Sequence, residues 1–143
     1  MSQHNVVLLL GTNLGDRKKN IEEAIIGIEK EIGKILFQSK LLETLPIDFV
    51  SNNNFINFAI ELRTVLSPIE VLNSIKLIEQ NLGRMNDSRV LGEYQDRIID
   101  IDIVYYDALE FKSNRLRIPH LAHLKREFSI ELLEDLNKIK HKV

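Results

Sequence analysis

Two aspartates, Asp100 and Asp102, stand within a run of isoleucine, valine and tyrosine residues that ends at Tyr106. The run is typical of a β-strand, and alternate residues of a strand point to the same face of a sheet. The two carboxylates would therefore project together, with Cα atoms about 6.6 Å apart at about 3.3 Å of rise per residue. Carboxylate oxygens are the ligands that hard divalent cations prefer, so the pair favours a metal site. An exposed polar sheet face without a ligand is the alternative.

Basic residues flank this acidic pair on both sides along the chain. They are Arg84, Arg89 and Arg97 before it, and Arg115, Arg117, His120, Lys125 and Arg126 after it. Arginines bind phosphate oxygens in a bidentate manner while carboxylates hold the accompanying Mg²⁺, so the combination favours phosphate chemistry. The alternatives are that loop arginines are solvated surface residues and that a histidine beside a proline is a structural hydrogen-bonding group.

The elements that must position these residues can be predicted from hydrophobic periodicity. Four strands are expected at 5–10, 35–44, 55–64 and 97–106. Two helices are expected to end near Gly33 and Leu82, and a third helix is expected to cover about 125–137. Ser67 with Glu70 predicts a capping box at the start of the second helix. The order β-α-β-β-α-β predicts an α+β, ferredoxin-like fold, with helices packed on an antiparallel sheet, in a single domain over 1–143.

Two long stretches, 45–54 and 84–96, show little periodicity, and connections of that length are usually functional in a compact domain. Between them, Phe55 and Asn57 share one face of a predicted strand, so that a ring and an amide could grip a flat polar heterocycle. The alternative for Phe55 is an ordinary core position. Glu79, late in the second helix, would usually be a solvated charge.

Composition excludes several classes of protein. The chain has 143 residues, 44% of them hydrophobic, a formal net charge of −2 and no cysteine. Disulfides, thiolate metal sites and a thiol nucleophile are therefore excluded. The charge balance speaks against nucleic acid as a partner, and no apolar run is long enough to span a membrane. A cytoplasmic monomer is expected.

Six short blocks occur in the order, and near the spacing, of one known enzyme family. They are LGTNLGD at 10–16, ETLP at 43–46, FIN at 55–57, IE at 78–79 with LGR at 82–84, RIIDIDI at 97–103, and IPH at 118–120 followed by Arg126 and Phe128. With these blocks the chain resembles the hydroxymethyl-dihydropterin pyrophosphokinases of folate biosynthesis, over about residues 6–130.

The resemblance implies a reaction and a role for each matching residue. The terminal pyrophosphoryl group of ATP would pass to the hydroxymethyl oxygen of 6-hydroxymethyl-7,8-dihydropterin, with release of AMP. Asp100 and Asp102 would bind two Mg²⁺ ions, and Arg84 and Arg97 would meet the ATP phosphates as catalytic residues. The other implied ATP-binding residues are Glu79, Arg115, His120 and Arg126. The implied pterin-binding residues are Thr44, Pro46, Ile47, Phe55, Asn57 and Phe128.

Two other functions stay open at this point. A palm-type nucleotidyltransferase also carries aspartates on a ferredoxin-like sheet, but it would release pyrophosphate from ATP. A non-catalytic nucleotide- or pterin-binding module would keep the fold and lose turnover. The second alternative depends on Tyr94-Gln95-Asp96 before Arg97, where the family often has a tryptophan followed by Gly-Pro.

Overall fold

An antiparallel sheet with helices on both faces is the frame of the protein, as seen in a computed structural model that describes residues 2–44, 54–83 and 98–142. The strands are β1 (His4–Thr12), β2 (Lys34–Gln38), β3 (Leu42–Thr44), β4 (Phe55–Thr64), β5 (Asp100–Tyr106), β6 (Phe111–Lys112) and β7 (Arg117–Ile118). The helices are α1 (Arg17–Glu31), α2 (Pro68–Asn81) and α3 (Glu127–His141).

The main sheet has the strand order β2-β4-β1-β5, with β3 also paired to β4, and all of these pairs are antiparallel. The strands β6 and β7 form a separate small hairpin. This order places the first strand in the middle of the sheet, between β4 and β5. The predicted α+β, ferredoxin-like fold is confirmed.

Helix boundaries follow the local signals that the sequence carries. The side chain of Asp16 accepts a hydrogen bond from the backbone N–H of Lys19 and so caps α1. Ser67 and Glu70 form the predicted capping box at the start of α2, at 3.3 Å and 2.9 Å. Helix α3 runs to His141, beyond the predicted end near residue 137.

The single strand predicted over 35–44 is in fact two strands, β2 and β3, that both pair with β4. Ser39 interrupts them, because its side chain turns inward and is buried. Its backbone N–H donates to the Ala59 carbonyl at 2.9 Å, and its hydroxyl accepts from the Ala59 N–H at 2.8 Å. One side chain thus replaces part of the backbone ladder, and the alternation of apolar residues did not reveal it.

The two faces of the sheet carry different residues. Helices α1 and α2 cover an apolar face whose core includes Leu8, Phe58 and Ile101. On the opposite face, α3 covers a smaller apolar cluster of Leu9, Ala59, Val104, Leu132 and Leu136. Since side chains alternate along a strand, Asp100 and Asp102 share this second face with Val104. Within the described residues, no helix is both long and apolar enough to cross a lipid bilayer.

A buried polar network joins the end of β1 to α1 and to the residues that lead into β5. The Asn20 amide donates to Thr12 Oγ1 at 3.1 Å, to the Leu14 carbonyl at 2.8 Å and to the Ile98 carbonyl at 3.2 Å. The Thr12 hydroxyl also donates to the Ile98 carbonyl. Because Ile98 precedes Asp100 by two residues, this network holds the start of the strand that carries the aspartates.

We expect Asn20→Ala to lower the free energy of unfolding by about 2 kcal/mol, because buried acceptors lose a donor that water cannot replace. Urea unfolding followed by circular dichroism measures this change. Asn114→Ala is the matched control, since Asn114 is exposed, and it should change stability by less than about 0.5 kcal/mol. Equal stability of the two variants would contradict the structural role of the network.

Candidate active site

Asp100 belongs to a row of residues that crosses three neighbouring strands. In the antiparallel register, Asn57 on β4 is opposite Gly11 on β1, and Gly11 is opposite Asp100 on β5. Adjacent strands lie about 4.8 Å apart, so Asn57 and Asp100 are separated by about 10 Å. The residue predicted to hold a heterocycle and a residue predicted to hold a metal therefore face the same stretch of sheet.

Gly11 is the part of this row that allows Asn57 to come close. A Cβ atom at Gly11 would lie 2.7 Å from Asn57 Oδ1 and 3.4 Å from Phe55 Cδ1. Asn57 is buried, and its Nδ2 donates to Thr44 Oγ1 at 2.7 Å. The amide therefore has a fixed orientation, and it still carries a second N–H and a carbonyl that a ligand can use.

Asp102 lies two residues further along β5, beside two histidines. His123 Nε2 is 2.7 Å from Asp102 Oδ2, and the rings of His120 and His123 are 4.3 Å apart at their centroids. Ligand atoms of Asp102, His120 and His123 all lie within 4.8 Å of one another. His120 was expected at the site, but sequence reasoning missed His123. The signal was a second histidine three residues after the first.

His120 is placed by its backbone, whose N–H donates to the Val104 carbonyl of β5 at 3.1 Å. Burial is the main reason that the pKa of His120 lies below its ordinary value of 6.5, and the negative charge of Asp102 acts in the opposite direction. The positive charges of His123 and Arg126 lower the pKa of His120 further. A neutral imidazole at neutral pH can accept or donate a hydrogen bond.

Glu79 is a buried carboxylate, so the solvated-surface alternative for this residue is wrong. Its Oε2 accepts a hydrogen bond from the backbone N–H of Ile101 at 2.9 Å, and its Oε1 lies 3.5 Å from Lys76 Nζ. Ile101 is the residue between the two aspartates. A side chain of α2 thus supports β5 at the point where the candidate metal ligands project.

The remaining residues predicted at the site fall into three groups. Phe128, in the first turn of α3, packs edge-on against His123 at 6.4 Å, and half-buried Arg126 immediately precedes α3. Arg115 is exposed and donates to Asn73 Oδ1 of α2 at 2.7 Å, so its contact is with α2. Predictions for Arg84, Arg97, Pro46 and Ile47 lie outside the described residues.

The donor set of this region fits Mg²⁺. Asp100 and Asp102 are half-exposed carboxylates on one face of one strand, and each carboxylate offers about four acceptor positions on two oxygens. The hydrogen bond from His123 to one oxygen of Asp102 is compatible with metal ligation by that carboxylate, since ligating carboxylates commonly accept hydrogen bonds from an outer partner.

An NMR titration of the metal-free protein should show His120 protonating below pH 6.5, because burial disfavours its charged form. The unfolded chain then binds more protons than the folded one between the two pKa values. The contribution of His120 to stability is therefore lost as the pH falls from about 6.5 through the folded-state pKa. Asp102→Asn should lower the pKa of His120 further, and a pKa at or above 6.5 would contradict the assignment.

Comparison with known proteins gives a consistent picture over nearly the whole chain. A family model described as 7,8-dihydro-6-hydroxymethylpterin-pyrophosphokinase (HPPK) matches residues 7–138. The 2-amino-4-hydroxy-6-hydroxymethyldihydropteridine pyrophosphokinase of Porphyromonas gingivalis is 36% identical over 132 residues, which cover 92% of this chain and 89% of that protein. A mitochondrial folate synthesis bifunctional protein of Arabidopsis thaliana is 34% identical over 135 residues, which cover 94% of this chain and only 24% of that protein.

Solved structures with the same fold belong to longer chains. A crystal structure of an HPPK-DHPS in complex with substrates matches with a TM-score of 0.71 and 17% identity, over 95% of this chain and 40% of that chain. Wild-type Plasmodium falciparum HPPK-DHPS with pterin and p-hydroxybenzoate matches with a TM-score of 0.70 and 19% identity, over 95% and 38%. At these identities the likeness establishes a shared fold.

Proposed function

The chain belongs to the 7,8-dihydro-6-hydroxymethylpterin-pyrophosphokinase family, and on that premise we propose that it transfers the β,γ-pyrophosphoryl group of ATP to 6-hydroxymethyl-7,8-dihydropterin in folate biosynthesis. The β-phosphorus forms a bond to the hydroxymethyl oxygen as its bond to the α-phosphate oxygen breaks. The hydroxymethyl proton leaves, and AMP is released. The longer relatives carry regions beyond the matched one, and the proposal concerns only the reaction of the matched region.

The cross-strand row from Asn57 through Gly11 to Asp100 is the observation that carries the proposal. A pterin bound at Asn57 would have its hydroxymethyl group directed along the row towards the aspartates. Both reactants are then held on one sheet by β4 and β5, which flank β1, and positioning of this kind is the main contribution of a protein to phosphoryl-type transfer.

The proposal assigns tasks to the residues around the two aspartates. Asp100 and Asp102 hold Mg²⁺, and the chemistry that Mg²⁺ supplies when bound is neutralisation of charge on the ATP phosphates. His120, which is neutral and lies beside Asp102, would contact the nucleotide together with Arg126, whose positive charge acts on His120. Glu79 keeps the backbone between the aspartates in place through the Ile101 N–H, and a direct contact between Glu79 and ATP stays a prediction.

The pterin site would combine hydrogen bonds with ring contacts. Asn57, oriented by Thr44, offers an N–H and a carbonyl to the polar edge of the pterin. Phe55 lies next to this amide and Phe128 comes from α3 on the same side of the sheet, as a pair of rings around the pterin would require. Backbone contacts from Pro46 and Ile47 are part of the proposal and lie outside the described residues.

Other parts of the assignment stay predictions. Arg84 and Arg97 are proposed to meet the ATP phosphates and to serve in catalysis, and Arg115 to help hold the nucleotide. Two Mg²⁺ ions, a monomer, a single domain over 1–143 and a cytoplasmic location are likewise the expectations from sequence. Family membership speaks against the palm-type nucleotidyltransferase, and product analysis separates the remaining alternative of a binding module without turnover.

The test of the reaction is the formation of AMP by the purified protein. We expect AMP only when ATP, Mg²⁺ and 6-hydroxymethyl-7,8-dihydropterin are all present. Pyrophosphate release without AMP would indicate nucleotidyl transfer. Binding of both substrates by folded protein without any AMP would identify a non-catalytic module.

Asp100→Asn and Asp102→Asn should each lower kcat/KM for AMP formation by about a thousandfold, equivalent to about 4 kcal/mol, because each replaces a charged metal ligand by a neutral one of similar shape. Glu110→Gln is the matched control, since Glu110 is exposed and lies outside the site. Activity within a few-fold of the unmodified protein in both aspartate variants would refute the metal assignment.

Gly11→Ala should raise the KM for the pterin by about tenfold, equivalent to about 1.4 kcal/mol, because the added methyl group displaces the Asn57 amide. The KM for ATP should change little. A double-mutant cycle supplies the control: if the methyl group acts through Asn57, Gly11→Ala should have little further effect in an Asn57→Ala background. Equal effects in both backgrounds would show that Gly11 acts elsewhere.

A further inference from the structure

His123 is a buried histidine to which the reaction described above assigns no task. It lies between β7 and α3 and is only 4% exposed. Both of its ring nitrogens have partners: Nε2 is 2.7 Å from Asp102 Oδ2, and Nδ1 is 2.7 Å from Ser129 Oγ. Ser129 belongs to α3 and is completely buried. The imidazole therefore connects the helix to the carboxylate on β5.

The contact with Asp102 determines that Nε2 of His123 carries a proton. An ionised carboxylate can only accept a hydrogen bond, so Nε2 of His123 must donate to Asp102. Nδ1 accepts the hydroxyl proton of Ser129 in a neutral imidazole and donates to Ser129 Oγ in an imidazolium, so the hydrogen bond to Ser129 forms in either state. The arrangement is directional, because a ring turned over would lose both hydrogen bonds.

Neighbouring rings also restrict the position of the imidazole. The His120 ring lies against it at 4.3 Å with an interplanar angle of 42°, and Phe128 meets it edge-on at 6.4 Å and 81°. The first turn of α3 supplies both Phe128 and Ser129. The imidazole is thus held by hydrogen bonds at its two nitrogens and by ring contacts from both neighbours.

We propose that His123 is a positioning residue that holds the Asp102 carboxylate in the orientation in which it ligates a divalent cation. A leucine in the same place would fill the space between α3 and β5 but would not donate a hydrogen bond to Asp102 Oδ2. The hydrogen bond between His123 Nε2 and Asp102 Oδ2 fixes the plane of the carboxylate, so the lone pairs that would face a metal ion point in a constant direction. The inference rests on the metal role of Asp102 in the proposed function.

Replacement of His123 should change the affinity for the metal ion rather than the turnover number. The experiment uses the full chain with Mn²⁺ and the non-hydrolysable analogue α,β-methylene-ATP, and electron paramagnetic resonance reports free Mn²⁺. We expect His123→Leu to weaken Mn²⁺ binding by about 10- to 100-fold, the usual effect of losing an outer partner of a metal ligand. Pterin affinity, measured by calorimetry, should stay within about twofold in the same variant, since uniform loss would indicate damage to the fold.

Matched variants separate positioning from packing. His123→Gln should restore most of the Mn²⁺ affinity, because a glutamine amide can donate to Asp102 as Nε2 does. Ser129→Ala should lower the Mn²⁺ affinity less than His123→Leu does, since the imidazole remains and only its hydrogen bond to Ser129 is removed. His141→Leu is the control for removal of a histidine, because His141 is exposed in the last turn of α3. His123→Phe, which keeps a planar ring without a donor, replaces His123→Leu if the latter does not fold.

The outcomes distinguish this inference from the proposed function. If the unmodified protein forms AMP and folded His123→Leu binds Mn²⁺ normally, the inference is overturned and the function stands. If no AMP forms but Mn²⁺ binding depends on both Asp102 and His123, the function fails and the inference stands. Unchanged Mn²⁺ affinity in Asp102→Asn overturns the metal role of Asp102 and the inference together.

Discussion

The antiparallel pairing of β1 with both β4 and β5 is the constraint on which the rest of the site depends. It sets the register in which Asn57, Gly11 and Asp100 form one row, and it sends Asp100 and Asp102 to the face opposite α1 and α2. A shift of one residue in the β1–β5 pair would turn the aspartates into the apolar core around Ile101. The burial of Ile99, Ile101 and Ile103 on the other face opposes such a shift.

Buried polar groups then hold β5 from several directions. Asn20 and Thr12 bind the Ile98 carbonyl before the strand, and Glu79 accepts the Ile101 N–H between the aspartates. His123 reaches Asp102 from the α3 side. A buried polar group without its partner destabilises a fold, so each of these contacts specifies one position of the strand. The site is therefore built on a rigid element, as transfer between two aligned substrates requires.

Much of the fold followed from local patterns. Alternation and helical spacing predicted the order of strands and helices, and the Ser67 capping box begins α2 as expected. The break at Ser39 was missed, because it depends on a hydrogen bond between Ser39 and Ala59, which are twenty residues apart. The burial of Glu79 was not predicted for a similar reason. A charged residue late in a helix gives no local sign that the backbone N–H of a strand residue will donate a hydrogen bond to it.

The sequence by itself determined the chemistry, the fold class and the family, because residue types, periodicity and short motifs are properties of the chain read locally. Only the tertiary structure decided which residues meet. It placed Asn57 and Asp100 on either side of Gly11, and it joined His123 to Asp102 and Ser129. The reason is physical: strand register and helix packing depend on the burial of side chains from distant segments, and the hydrogen bonds of the site exist only after that burial has occurred.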